Sequence, residues 1–353
     1  MTDTIAARTR HPTRAPARWI VAAVVAAIAG IVIAVSFGPV SLPFGEVVAV
    51  LLDELPFVDI DHGVDPLSAS IITEVRLPRV LLAGLVGAVL ATAGGSYQAT
   101  FRNPLADPYL LGAAGGAGLG VTVALTETGG GLGSASIGIT IAAFIGAMGA
   151  VGAAYALGRS GDGRTGASLI LAGVAVAALC SAVQTLLLQR DDEALRDVYA
   201  WLLGRFNVAG WDEVRLLAPT AIITIGVMVA SARRLDLLAL GDDEAESLGV
   251  NAPRLRLSIV TMATLGTAAA VAVSGLIGFV GIVVPHAIRL GVGPSYRRIL
   301  PLAAILGIPF LVLCDLLART LLSPAEIPIG VVTAAIGAPF FLVLLRTSKV
   351  RPM

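Results

Sequence analysis

The chain has 353 residues, of which 56% are hydrophobic and only 14% charged, and its formal net charge is zero. Soluble domains carry roughly 25% charged residues, so this composition excludes an ordinary soluble protein and points to an all-α polytopic membrane protein. The balanced charge gives no reason to expect a nucleic-acid partner. Forty glycines beside 5% aromatic residues suit helices packed closely through small side chains.

Residues 1–18 form a polar tail with Arg8, Arg10, Arg14 and Arg18, followed by an apolar run from Trp19 to Phe37. That run is long enough to span and further spans follow, so it reads as a first transmembrane helix rather than a signal peptide. Residues 38–75 form an acidic external segment with Asp53, Glu54, Asp59, Asp61, Asp65 and Glu74. Further spans are expected at roughly 77–98, 109–126, 136–158, 167–189, 212–231, 256–274, 276–291, 299–318 and 328–346, about ten in all. A surface helix is expected around Ala194–Leu203, and the glycine-rich stretch Thr128–Ser134 reads as a turn rather than a nucleotide cradle. With the N-terminus inside, 17 of the 24 basic residues fall on the inner side and 7 on the outer. The positive-inside bias therefore puts both termini in the cytoplasm and requires an even number of spans. The membrane domain covers 19–346, with cytoplasmic tails at 1–18 and 347–353.

The chain is organised around the polar island Leu238–Arg256 between two apolar runs. Gly241 breaks the preceding run, Asp242 can serve as N-cap, and Asp243 and Glu244 then sit in a first turn where the helix dipole favours negative charge. Ala245 falls within the short helix, Leu248 closes it, Gly249 suits the residue beyond its C-terminus, and Pro253 opens the next helix. A helix of about two turns is marginal alone in water, so it reads either as a structured loop or as a helix pressed against a partner. Asn103, Pro104, Leu105, Ala106, Asp107 and Pro108 form a rigid, non-helical turn at the same inner face. Both segments are expected to line one docking groove.

Arg76 and Arg79 bracket Leu77 and Pro78 at the outer end of the second span, where Leu77 can cap and Pro78 fits the first turn. Two arginines at a helix N-terminus oppose its dipole, so they should answer to something else. They either snorkel to headgroups or form a socket for an acidic group on an external partner. Arg319 faces the same side, and Asp315 lies one turn before it, which allows a simple intrahelical pair.

Cys180 and Cys314 each sit in an apolar run without a metal-ligand neighbour and read as packed thiols. His286, in the interrupted run Gly278–His286, reads as a structural histidine. Ionisable residues near mid-span are almost absent, which argues against an ion-coupled secondary carrier and against intramembrane catalysis. Thr165, Gly166, Ala167 and Ser168 open the fifth span with small side chains that permit close helix approach or a constriction. Ser181 and Gln184 stand one turn apart and either line a path or bond a neighbouring helix. Lys349 is the single lysine, so no phosphate-binding loop exists and any ATP is bound by another chain.

These residues resemble a known family. Arg76–Arg79, the run Arg102–Gly112, the pattern Leu238–Gly249, Ile277–His286 and Glu326–Phe341 are similar to the FecCD permeases of type II ABC importers, which take up ferric siderophores, haem and cobalamin. The match runs from about residue 70 to 346, in the family's order. The resemblance implies a multi-pass protein of the bacterial cell membrane with ten spans. It also implies a second permease subunit, two ATPase subunits that bind ATP and Mg, and an extracytoplasmic substrate-binding protein. It implies no cofactor or metal in this chain. By the same resemblance, Asp242–Leu248 couples to the ATPase beside the Asn103–Pro108 turn. Arg76, Arg79 and Arg319 receive acidic residues of the binding protein, and Thr165–Ser168 matches the cytoplasmic gate. Gly166 and Ala167 depart from the hydroxyl residues that some members place there. A secondary carrier and a non-transporting scaffold are the competing classes.

Overall fold

The computed structural model describes residues 17–38, 42–54, 63–128, 136–159, 166–189, 191–206 and 209–347. The N-terminal tail through residue 16 and the glycine-rich stretch 129–135 lie outside them. Among the described residues the chain is helical and contains no strand. The elements are α1 (Ala17–Ser36), α2 (Phe44–Asp53), α3 (Pro66–Ser70), a π-turn (Ile71–Arg76), α4 (Leu77–Phe101), α5 (Ala113–Thr128), α6 (Ser136–Arg159) and α7 (Gly166–Leu188). They continue with α8 (Asp192–Leu202), α9 (Trp211–Ala230), α10 (Ala232–Leu238), α11 (Asp242–Ser247), α12 (Ala252–Ser274), α13 (Val280–Val292), α14 (Tyr296–Thr320) and α15 (Ile329–Thr347).

Among the described residues, seven helical runs are long and apolar enough to cross a membrane. α4 is the axle of the body. It packs against α1, α9, α12, α13 and α14, and every residue from Ala88 to Thr100 is buried. Its sequence has no polar face, as expected of a helix covered on all sides. Glycine permits the covering. A Cβ on Gly87 would lie 2.2 Å from the Gly307 carbonyl oxygen in α14, and one on Gly94 would lie 2.1 Å from the Gly281 oxygen in α13. Gly116 and Gly146 repeat this contact between α5 and α6, at 2.2 and 2.1 Å. Backbones that touch in this way gain dispersion contact without needing an aqueous driving force.

Leu77 does not cap a helix, contrary to the sequence expectation. α3, the π-turn and α4 form one helical run, started by Asp65, whose carboxylate accepts the Leu67 and Ser68 amides at 3.1 and 3.3 Å. The segment 38–75 is thus partly helical, with α2 and α3 inside it. The π-turn lets Pro78 lie within the run. The Leu77 amide reaches back to the Ile72 carbonyl, which frees Thr73 O for the indole of Trp211 at 3.0 Å.

α5 and α13 contain 16 and 13 residues, about 24 and 20 Å of helix. The helices in the third and eighth expected spans therefore begin later than the sequence suggested, because non-helical backbone precedes each. The stretch 103–112 turns back into the body from the end of α4, with Ala106 and Leu111 fully buried. The break between α12 and α13 has Gly275 at φ +70° and Phe279 at φ +68°. The two stretches meet at one hydroxyl. Tyr109 donates to Ile277 O at 3.1 Å and accepts from Ile277 N–H at 3.2 Å. Pro108 packs on Gly281, the residue that also faces Gly94 of α4.

Cys180 and Cys314 are buried free thiols. α8 forms where a surface helix was expected, one or two residues earlier. Asp191 caps it by accepting the Glu193 and Ala194 amides. Its buried face is Ala194, Val198 and Trp201.

The glycine contacts generate a prediction. Gly94→Ala should separate α4 from α13 and destabilise the protein by ~1–3 kcal/mol, the usual cost of overpacking. Gly149→Ala in α6, where a Cβ meets nothing within 4 Å, should be neutral. Thermal midpoints in detergent measure both; equal midpoints would refute the contact.

Candidate functional site

Polar structure gathers at the two ends of α4. Its 25 residues hold those ends about 37 Å apart.

At the C-terminal end stands α11. Gly241 rather than Asp242 is its N-cap, at φ +147°, and a Cβ there would lie 1.8 Å from Glu244 Oε2. Only glycine suits that position. The Asp242 carboxylate is instead engaged by arginines: Arg256 Nη2 of α12 lies 2.9 and 3.1 Å from its two oxygens, and Arg102 Nη2 lies at 3.5 Å. Arg102 is the left-handed residue that ends α4, at φ +50°. Asp242 thus joins α11 to α4 and α12 together. The far end closes as the sequence suggested. Gly249 N–H bonds Glu246 O and Val250 N–H bonds Ala245 O, with Gly249 at φ +82°. Ala245 is fully buried and anchors the helix, while Asp243, Glu244, Glu246 and Leu248 project outward.

The Asn103–Pro108 turn lies beside α11 through the Arg102–Asp242 pair. Asn103 Oδ1 accepts the Leu105 amide and Asp107 Oδ1 accepts the Tyr109 amide, both at 2.9 Å. These self-contained turns leave Pro104 and Leu105 exposed. Asp236 of α10, which the sequence reading passed over, caps α14 from a distance. It accepts from Ser295 Oγ at 2.8 Å and from the Tyr296 amide at 2.5 Å. No local pattern marks it, because its partners lie about sixty residues away.

At the N-terminal end, Arg76, Arg79 and Arg319 gather as expected, but each has partners within the chain. Arg76 is buried and donates to Val35 O and Ser36 O at 2.9 and 3.1 Å. Arg319 is buried and donates to Ala34 O. These guanidiniums thus answer the free carbonyls and the negative dipole end of α1, which explains two arginines at an α4 start that opposes them. Arg79 uses both edges of its fork. It meets Asp315 at 2.8 Å and Glu326 at 2.9 Å. Asp315 also faces Arg319 Nε at 3.6 Å, the intrahelical pair left open by the sequence. Beside it a cleft of about 230 Å³ is lined by Arg79, Arg205, Asp315 and Glu326.

The expected gate residues are dispersed. Thr165 lies outside the described residues, and Gly166 and Ala167 begin α7. Ser168 follows within that helix. Ser181 is exposed while Gln184 is buried with its amide beside Gly118 of α5. The two therefore do not share one surface. His286 packs edge-on against Phe340, with ring centroids 5.8 Å apart, in keeping with a structural role. No cluster of three metal-binding side chains occurs among the described residues.

The fold is a multi-pass helical body closed by close-packed glycines, with ion-pair clusters at both ends of its central helix. The chain belongs to the FecCD transport family, whose model matches residues 25–347. It is 43% identical to a hemin transport system permease of Yersinia pestis, over 78% of this chain and 83% of that one. It is 40% identical to a cobalamin import system permease of Halobacterium salinarum, over 83% and 78%. A solved metal-chelate type ABC transporter in an inward-facing conformation superposes with a TM-score of 0.81 at 31% identity, covering 94% of this chain and 99% of that one. The protein is thus an ABC importer permease and not an enzyme; ATP hydrolysis belongs to a separate subunit.

The Asp242 pairs generate a second prediction. Asp242→Asn removes the charge that holds Arg256 and Arg102, and amide exchange across 242–248 should rise about fivefold. That corresponds to ~1 kcal/mol for a partly exposed charge-assisted pair. Unchanged exchange would mean that Ala245 alone anchors the helix.

Proposed function

We propose that this chain is one of two permease subunits of an importer in the bacterial cell membrane, with ten spans and both termini cytoplasmic. α5, α13 and α15 complete the ten. The second subunit is another copy or a paralogue. Two ATPase subunits carry ATP and Mg at the α11 end, and a substrate-binding protein docks at the Arg79 end. The observation that carries this reading is α11 itself. It is a short helix with a mostly exposed surface, tied by one carboxylate to both the central helix and α12.

The mechanism follows from those ties. Closure of the ATPase pair pushes α11, and Asp242 transmits the load to Arg102 of the α4 end and Arg256 of α12. The glycine contacts leave no slack between α4, α13 and α14, so these helices shift as a body between two access states. Gly166, Ala167 and Ser168 at the start of α7, with Thr165 before them, form the cytoplasmic constriction. At the other end, acidic side chains of the binding protein exchange with Glu326 and Asp315 on the arginine cluster. Arg79 is the one within reach, because Arg76 and Arg319 are committed to α1.

The cargo is a metal chelate. A ferric siderophore is the first candidate, with haem and cobalamin next, as the two relatives carry hemin and cobalamin. Selectivity rests mainly with the binding protein, because the spans offer an apolar, weakly binding path.

Reconstitution with the co-expressed ATPase tests the proposal. One binding protein loaded with ferric siderophore, haem or cobalamin should stimulate ATP hydrolysis several-fold, and failure of the ATPase to associate at all would refute the importer. Replacing 242–248 with a Gly/Ser linker should abolish uptake while leaving binding-protein affinity intact. Arg79→Glu should do the reverse, weakening docking about tenfold or more at low salt.

A further inference from the structure

α9 leaves one side uncovered along its length. Leu216, Ile222 and Ile223 are 54, 70 and 59% exposed. Gly226 lies in open space, where a Cβ would meet nothing within 4 Å. Leu216, Ile223, Val227 and Ala230 follow one another at helical spacing, so they form a single stripe that leads to the α9–α10 turn. Such a stripe on a membrane-spanning helix faces acyl chains.

The stripe runs into a cleft. Its volume is about 610 Å³, its apolar walls are Val227, Leu237 and Leu248, and Ser231, Arg233 and Arg234 supply its polar side. Arg233 and Arg234, in the first turn of α10, both line it. Both are exposed, and among the described residues neither has a hydrogen-bond or ion-pair partner. By contrast, Arg102 and Arg256 at the same end are held by Asp242, and Arg289 by Gln98 Oε1 at 2.8 Å.

We propose that this cleft binds an anionic phospholipid of the leaflet on the α11 side. Its phosphodiester sits between Arg233, Arg234 and the Ser231 hydroxyl, and an acyl chain lies along α9 past Gly226. Charge complementarity selects the phosphate, since paired guanidiniums fit its oxygens. Continuity with the exposed stripe selects a lipid: a free phosphate has no use for the apolar walls, and a soluble partner has no use for the stripe. Basic residues near an anionic leaflet are drawn to it. Leu248 belongs to the end of α11, so the bound headgroup touches that helix and steadies it.

The full-length permease alone is sufficient for the test, which therefore stands apart from the importer assembly. It is placed in nanodiscs of phosphatidylcholine with or without phosphatidylglycerol of the same chains. Lipids retained after release into detergent are counted by native mass spectrometry, and amide exchange is followed at 242–248. The wild type should retain phosphatidylglycerol at least fivefold over phosphatidylcholine, and its 242–248 amides should exchange more slowly with the anionic lipid present. R233Q/R234Q should lose both effects and R233K/R234K should keep most of the retention. The thermal midpoint in phosphatidylcholine should be unchanged in both, because the side chains are exposed. Equal retention of the two lipids, or undiminished retention by R233Q/R234Q, overturns the site. Inorganic phosphate that reproduces the slowed exchange in detergent without retained lipid would assign a plain anion site instead. Loss of ATPase affinity in R233Q/R234Q with lipid retention intact would assign the arginines to the ATPase.

Discussion

A backbone amide or carbonyl inside hydrocarbon has no water to bond, and leaving one unpaired costs several kcal/mol. The architecture follows from meeting that demand wherever a helix stops or changes register. α1 ends inside the body, and Arg76 and Arg319 take its last carbonyls. The π-turn frees Thr73 O, and Trp211 takes it. The break before α13 exposes both polar groups of Ile277, and the Tyr109 hydroxyl satisfies them together. Each solution brings a side chain from a distant segment, so satisfying the backbone also fixes which helices are neighbours.

Close packing supplies the rest. α4 can be covered on every side because glycines let α13 and α14 approach to backbone contact. A body assembled in this way resists bending within itself and moves as a block, since packed interfaces have few intermediate arrangements. The arginine cluster in turn shows how charges are kept in an apolar body. Asp315 lies between Arg79 and Arg319, and Arg79 also meets Glu326, so the buried carboxylate is paired on two sides, as buried ions require.

Much of this was legible in the chain. The all-helical membrane class followed from composition, because 14% charge cannot dress the surface of a soluble protein this size. The closing turn of α11 at Leu248–Gly249 and the packed thiols followed from local chemistry, whereas the grouping of Arg319 with Arg76 and Arg79 came from the side of the membrane assigned to each and from the family resemblance. The errors had a common cause. Asp242 was read as a cap and Leu77 as a helix start because those are the local roles such positions offer. Asp242 was claimed instead by Arg256, fourteen residues on, and Leu77 by a helix that began at Pro66.

The sequence by itself therefore determined the class, the helices and the places where they must end, because hydrophobic periods and turn residues act over a few positions. Only the tertiary structure decided what each polar group answers to. Arg76 and Arg319 hold the last carbonyls of α1, Arg79 meets Glu326, and Gln184 is buried while Ser181 is exposed. Partners such as Arg79 and Glu326, far apart in the chain, meet only after the helices pack, and no local rule encodes a contact that depends on which glycine faces which.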